Sequence, residues 1–269
     1  MIKGIILADG TRLKREDAYA LALQHGHVDG WPLEALVAVL ERHPRRRPGA
    51  WDIASASYRR CVLEEITPHY DTLRNLYPLV RGRFLHKGAE GVVFPPNLLA
   101  HKDRPLREFR PENPWVGCKI DLYYPATATL VERKTTGGRA EDIPLPTHIA
   151  QANIYAWAMR RAHWAVKRIL IVYYTWWGVK TTECPVWPDD EVDMFVKSGV
   201  DIFNRAFYLR LVPPPTQCSL AACDHCPVKR ECRAIARPEW VSWDELPRHG
   251  FALEPNCEEG HGGWELPNK

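Results

Sequence analysis

The sequence predicts an α/β protein with a mixed sheet. Two apolar stretches, 115–124 and 127–135, flank Pro125-Ala126-Thr127 and read as a hairpin. A segment rich in Ala and aromatic residues, 146–163, follows with helical character. Two β-branched runs, 168–176 and 179–186, then read as strands, and 189–209 reads as a helix. Helices, hairpin, helix, strands and helix in that order call for a sheet with helices packed on it.

The remaining segments follow from local signals. Residues 1–50 read as a short strand and two helices, 14–24 and 32–41, stopped at Gly26 and Pro44. Residues 43–49 form a Pro- and Arg-rich linker. Residues 52–91 look largely helical, with Ser55 or Ser57 as N-cap. Pro213-Pro214-Pro215 cannot continue the helix before it. The chain thus divides into a mainly helical N-terminal extension 1–50, a main domain 51–240 including a cysteine-dense segment 218–232, and an irregular tail 241–269. No internal repeat is visible.

Composition narrows the class. A chain of 269 residues with 45% hydrophobic and 26% charged residues can bury a sizeable core and is ordinary for a soluble globular protein. No secretory signal is visible, and no stretch reaches the roughly 18 apolar residues of a spanning helix. A reducing cytoplasm and no membrane are therefore expected. There, eight cysteines point to metal binding or chance rather than to disulfides. A phosphate-binding Gly-rich loop ending in Lys-Ser/Thr is absent, which argues against an ATP-driven motor. The net charge of +3 diagnoses nothing, but basic residues cluster at Arg45-Arg46-Arg47, Arg59-Arg60, Arg81/Arg83 and Arg160-Arg161. Taken singly, each such run is as readily a solvated surface.

The chemistry concentrates in the hairpin. Asp121 lies on its first stretch, Glu132 and Lys134 on its second. Alternation points Glu132 and Lys134 to one face and Arg133 to the other. If the stretches pair, Asp121 joins that face. Two carboxylates and an ammonium there suit a divalent cation and a phosphate. Glu-x-Lys alone is more often an exposed ion pair. His86 lies upstream on an expected helix, where a lone His is usually structural. Gln151 and Tyr155 lie four apart, on one face of the 146–163 helix.

The second signal is Cys223-x2-Cys226-x5-Cys232. Three thiols so close together are hard to explain as packing. The fourth ligand stays open between Cys218 and Cys61. Cys218-x4-Cys223-x2-Cys226 follows plant-type ferredoxin spacing and equally permits a local four-cysteine zinc site.

Together these residues resemble the PD-(D/E)xK nuclease superfamily in its RecB type. The order is Gly82 with His86, Gly117 with Asp121, Glu132 to Thr135, then Gln151 with Tyr155. The order is far more specific than any of its parts. The resemblance implies a restriction-endonuclease-like core with a mixed sheet, a helical N-terminal region and a C-terminal iron–sulfur segment. It implies Mn²⁺ or Mg²⁺ held by His86, Asp121, Glu132 and the Arg133 carbonyl. Lys134 would be catalytic, with Gln151 and Tyr155 supporting the site and the DNA. One early and three late cysteines match the iron–sulfur exonucleases of the CRISPR-associated Cas-four family. That implies a structural 4Fe–4S cluster on Cys61, Cys223, Cys226 and Cys232, clipping the C-terminal segment to the helical region and holding the DNA channel closed.

The resemblance covers roughly 52–235. Val62-Leu63 departs from it, since many relatives carry basic or aromatic residues after the first cysteine. Cys118 reads as a small buried residue, Cys184 and Cys257 have no assigned role, and His25-x-His27 looks like a helix end. Eleven tryptophans and ten tyrosines, with Trp176-Trp177 at a strand end, suit unpaired bases. The expected substrate is therefore single-stranded DNA ends, and the resemblance adds DNA end processing, recombination or CRISPR spacer acquisition, with spacer-integration or recombination proteins as partners. Two alternatives stay open. One is a catalytically idle DNA-binding or assembly module with a four-cysteine zinc or iron–sulfur site. The other is the nuclease subunit of a helicase–nuclease complex.

Overall fold

The computed structural model describes residues 2–41, 47–91, 104–137, 140–215, 223, 226–235 and 238–249. Cys218, Cys257 and most of the 241–269 segment lie outside them. The architecture is mixed α/β, in two compact units. The first takes the described residues of Met1–Arg46, Ala56–Val80 and Asp201–Trp264, the second those of Arg47–Ser55 and Arg81–Val200. Each unit draws on separate stretches of chain rather than on consecutive segments.

In the first unit, β1 (Ile2–Ile6) lies between β2 (Arg12–Lys14), antiparallel to it, and β3 (His69–Thr72), parallel to it. A Cβ on Gly4 would sit 1.9 Å from the Leu13 carbonyl oxygen, so glycine lets the central strand approach its neighbour. Helices α1 (Arg15–His25) and α2 (Leu33–Leu40) bury Ala18, Leu36 and Leu40 with Ile5. Gly26 ends α1 with a φ of +82°, and His27 Nδ1 accepts the Gly30 N–H at 3.2 Å. The His25-x-His27 pair is thus a helix end, as expected.

Between them in sequence and the sheet strands come α3 (Ala50–Ala54), α4 (Tyr58–Ile66) and α5 (Leu73–Glu90). Ser57 takes the N-cap position of α4. The expectation that 52–91 is largely helical misses β3. His-Tyr-Asp-Thr carries no apolar run, and its extended form comes from pairing with β1. β2 escaped notice for the same reason: three residues, two of them charged, completed by a non-local ladder.

The second unit is built on a five-stranded sheet. Its strands are β4 (Leu106–Phe109), β5 (Ile120–Tyr124), β6 (Thr129–Thr135), β7 (Arg168–Thr175) and β8 (Gly178–Cys184), in spatial order β4-β5-β6-β7-β8. β5 and β6 form the expected hairpin around a tight turn at Pro125–Thr127, closed by Ala128 in the left-handed region. β6 and β7 are parallel and every other pair is antiparallel. A parallel pair needs a crossover, supplied here by α6 (Pro146–Arg161).

From Ala150 to Met159 every residue of α6 is buried. A helix covered on all sides can be apolar all round, which explains its Ala-rich composition. It packs with α3 and with Ile169, Ile171 and Tyr173 of β7. α7 (Asp189–Tyr208) adds Val192, Val196 and Val200, a stripe at spacing four. Helices α5 and α7 contribute residues to both units. Later come β9 (Leu211–Val212), α8 (Lys229–Ile235) and β10 (Val241–Ser242), which pairs with β9. Trp243 and Leu246 beyond it are fully buried, so 241–249 is ordered by packing where no periodicity announced it. No helix among the described residues is long and apolar enough to cross a membrane.

Asn153 is the one fully buried amide side chain of α6. Its Nδ2 donates to the Ile149 and Pro185 carbonyls at 3.1 Å each, and its Oδ1 accepts the Trp187 N–H at 2.7 Å. Asn153→Ala removes these three part-buried hydrogen bonds and is expected to cost about 1–2 kcal/mol in urea unfolding. Arg168→Ala, which breaks an exposed pair with Glu183, is expected to leave the urea midpoint at the parent's value.

Candidate functional site

The site forms where the β5–β6 ladder gives way. Backbone pairing runs from Tyr124↔Thr129 to Leu122↔Val131. One step further, Asp121 Oδ2 accepts the Arg133 N–H at 2.7 Å in place of a backbone carbonyl. An extended residue turns its N–H and C=O toward the same neighbour, so the Arg133 carbonyl faces β5 as well.

Around this opening a cavity of 330 Å³ is lined by His86, Asp121, Glu132, Lys134, Gln151 and Tyr155, with Thr135 at its margin. It has room for a hydrated ion and a phosphoryl group. Every nuclease-core residue singled out in the sequence, Arg133 included, thus lines one pocket.

Each side chain has a defined task in holding the others. His86, on the second half of α5, sets Nδ1 3.0 Å from Asp121 Oδ1. That hydrogen bond is the main reason its pKa rises above the ordinary imidazole value, against the opposing effect of burial. Glu132 is only 3% exposed. Its Oε1 accepts a hydrogen bond from Lys134 Nζ at 2.6 Å, while Oε2 is buried with no hydrogen-bond partner. Burial pushes the Glu132 carboxyl up to about 7, and Lys134 only partly offsets this.

Lys134 Nζ also donates to Gln151 Oε1 at 2.6 Å, and Gln151 Nε2 donates to Tyr155 Oη at 2.7 Å. Glu132, Lys134, Gln151 and Tyr155 therefore form one continuous polar chain from strand to crossover helix. Gln151 and Tyr155 reach it because spacing four puts them on one face of α6. Burial holds the Tyr155 hydroxyl well above its usual range, so it serves as a neutral hydrogen-bonding group. The Trp51 ring lies 5.8 Å from Lys134 Nζ and limits solvent on that side.

Sequence reasoning missed Glu108 and Lys119. Glu108 lies on β4, where the register Arg107↔Leu122 and Phe109↔Ile120 sets it opposite Asp121. Its φ of +49° is rare for a non-glycine residue, and its carboxylate pairs with Lys119 and with the buried Arg133 guanidinium, at 3.4 Å. Leu-Arg-Glu-Phe shows no alternation that would have marked a strand. Lys119 was within reach of the period-two rule, being two residues before Asp121 and on its face. Among the described residues, one group of three His, Cys, Asp or Glu ligand atoms lies within 4.8 Å of one another: His86, Glu108 and Asp121.

Cys61, Cys223, Cys226 and Cys232 belong to the first unit. Cys61 on α4, Cys226, and Cys232 on α8 are half-buried against one apolar cluster that includes Val62, Val228 and Trp243. Cys223 is half-buried too, and its carbonyl accepts the Cys226 N–H at 3.3 Å. Burial pushes the Cys226 thiol up to about 11. Two guanidinium groups stand beside these thiols. Buried Arg59 hydrogen-bonds Cys232 and donates through Nε to the Pro213 carbonyl at 2.7 Å, and Arg60 acts electrostatically on Cys61 and Cys226. Among the described residues, no three of these sulfurs lie within 4.8 Å of one another. Cys118 and Cys184 are buried in the second unit's core, and burial drives the Cys118 thiol up to about 12.

No family model and no curated protein matches the sequence. Among solved structures, the crystal structure of SSO0001 aligns over 75% of this chain and 91% of its own, at 16% identity and a TM-score of 0.46. Likeness of that order leaves the assignment to the geometry of the site.

His148, 8% exposed at the start of α6, underlies the pocket, with Nδ1 2.9 Å from the Tyr173 hydroxyl. Burial, helped by the Lys134 charge, lowers its pKa to about 4. A depressed imidazole contributes stability that is complete above its unfolded value, about 6.5, and is lost as pH falls through 4. Between pH 7 and pH 4 the parent should therefore lose on the order of 3 kcal/mol more than His148→Gln, as measured by chemical unfolding at each pH.

Proposed function

We propose that this chain is a metal-dependent deoxyribonuclease, an exonuclease on single-stranded DNA ends, with a restriction-endonuclease-like core and a structural iron–sulfur segment. The carrying observation is Lys134, fixed by Glu132 and Gln151 beside a carboxylate oxygen, Glu132 Oε2, that is buried without a partner. A buried carboxyl still short of positive charge beside a lysine is a site made for a cation.

The residues present fit Mn²⁺ or Mg²⁺. His86, Asp121 and Glu132 offer imidazole and carboxylate ligands, the Arg133 carbonyl faces β5, and Glu108 stands within reach of His86 and Asp121. A divalent ion bound there would polarise the scissile phosphoryl group and lower the pKa of a bound water. Lys134 orients the attacking water and stabilises negative charge accumulating on the phosphoryl oxygens. Gln151 and Tyr155 keep the ammonium aimed, because the amide accepts from Nζ and is itself held by the tyrosine hydroxyl. Asp121 holds β6 at the distance that keeps Glu132 and Lys134 facing the cavity.

Mn²⁺-dependent degradation of end-labelled single-stranded DNA tests this reading, with parent and Lys134→Ala both purified without oxygen. The parent should degrade the strand and the variant should be slower by about 100-fold or more. Equal rates would place the chemistry elsewhere.

Four cysteines and two arginines support a cluster in the first unit. The half-buried thiols need a metal centre to hold them as thiolates, and Arg59 and Arg60 balance the resulting charge. Cys223→Ala should lose visible absorption and bound iron and unfold more readily. Iron content equal to the parent's would sink the cluster assignment.

A further inference from the structure

The β7–β8 hairpin carries two large aromatic side chains in the open. Thr175 ends β7, Gly178 begins β8 with a φ of +135°, and Trp176 and Trp177 form the tip, 69% and 57% exposed. The Thr175 hydroxyl donates to the Gly178 carbonyl at 2.8 Å and holds the turn tight. Val179 beside them is exposed as well. Such exposure is a cost the core does not require, and it marks a contact surface.

Its place in the sheet is fixed by register. β6 and β7 run parallel with Lys134↔Tyr173 and Thr135↔Tyr174, so the tip extends past the end of β6 from which Lys134 projects. Two contacts of Trp176, and one between the helix of His86 and β6, connect the tip with the pocket lining. A Cβ on Gly137 would lie 3.9 Å from Trp176 Nε1, and one on Gly82 would lie 3.4 Å from the Thr135 hydroxyl. The Arg81 guanidinium, one residue before Gly82 and on the helix of His86, lies 5.1 Å from the Trp176 ring centroid. Arg81 Nε is buried without a hydrogen-bond partner.

We propose that Trp176, Trp177 and Arg81 form a stacking clamp for the unpaired bases of a DNA strand whose next phosphate enters the pocket. The proposal rests on the nuclease reading for the destination of that phosphate. Indole rings stack on any base and so confer no sequence preference. Arg81 adds a cation to the Trp176 face and a charge for the strand's backbone. Bases paired within a duplex have both faces covered, so the clamp selects for single strands. A stiff two-residue turn holds the rings in place at low entropic cost.

The test is equilibrium binding of a fluorescent oligothymidylate to the full chain in EDTA, purified without oxygen, alongside a blunt duplex of the same length. Trp176→Ala and Trp177→Ala should each weaken single-strand binding by about 5- to 100-fold, with duplex binding and the unfolding temperature unchanged. Phe at either position should restore most of the affinity. Unchanged affinity in the double Ala variant would overturn the clamp, even where Mn²⁺-dependent degradation by the parent upholds the nuclease. Loss of single-strand affinity in a protein that never degrades DNA would sustain the clamp and remove the nuclease reading. A double Ala variant that alters only the mass in solution would show a self-association surface and overturn the proposal.

Discussion

The pocket depends on a single substitution of hydrogen-bond partners, the Asp121 carboxylate taking the Arg133 N–H. Buried backbone donors must be satisfied, and a ladder carried to its end would close β5 against β6. By accepting the donor through a side chain, Asp121 lets the strands part without stranding a backbone group. The parting creates the cavity, and the same carboxylate presents its other oxygen to His86. One residue thus serves the backbone and the site at once, so neither role can be changed alone.

The opened sheet edge carries a dense set of buried charges, and their balance decides what the pocket accepts. Burial pushes the Glu132 carboxyl up to about 7, with the Lys134 ammonium at 2.6 Å opposing that rise. Glu108 meets Arg133 and Lys119, and Asp121 meets His86 and the Arg133 N–H. Basic partners are thus spread across three carboxylates, while Glu132 Oε2 is left with none. A buried carboxylate oxygen without a partner is costly, so Glu132 Oε2 is the atom of this set most in need of a positive partner.

The sequence was most legible where chemistry and local periodicity coincide. The hairpin, the crossover helix and the Glu132–Lys134 face follow from alternation and turn residues, and each is present. β2, β3 and β4 were not legible, because short strands with charged or polar residues are made by partners distant in sequence. Glu108 was hidden with β4. Its left-handed backbone is imposed by the carboxylate contacts around it, and no local propensity of Leu-Arg-Glu-Phe announces that. The burial of Trp243 and Leu246 was likewise invisible, since a packed 3₁₀ turn has no period to detect.

The parallel pairing of β6 with β7 links chemistry to substrate approach. A hairpin in its place would have returned the chain at once, with no helix between the strands. The crossover inserts α6 there, and α6 supplies Gln151 and Tyr155 to steady Lys134. Parallel direction also sends β7 out past the same end of the sheet as β6, so its following turn overhangs the pocket margin. An antiparallel β7 would have delivered Trp176 and Trp177 to the opposite end, away from Thr135 and Arg81. The topology that positions the Lys134 ammonium is therefore the one that brings an aromatic surface to the same edge.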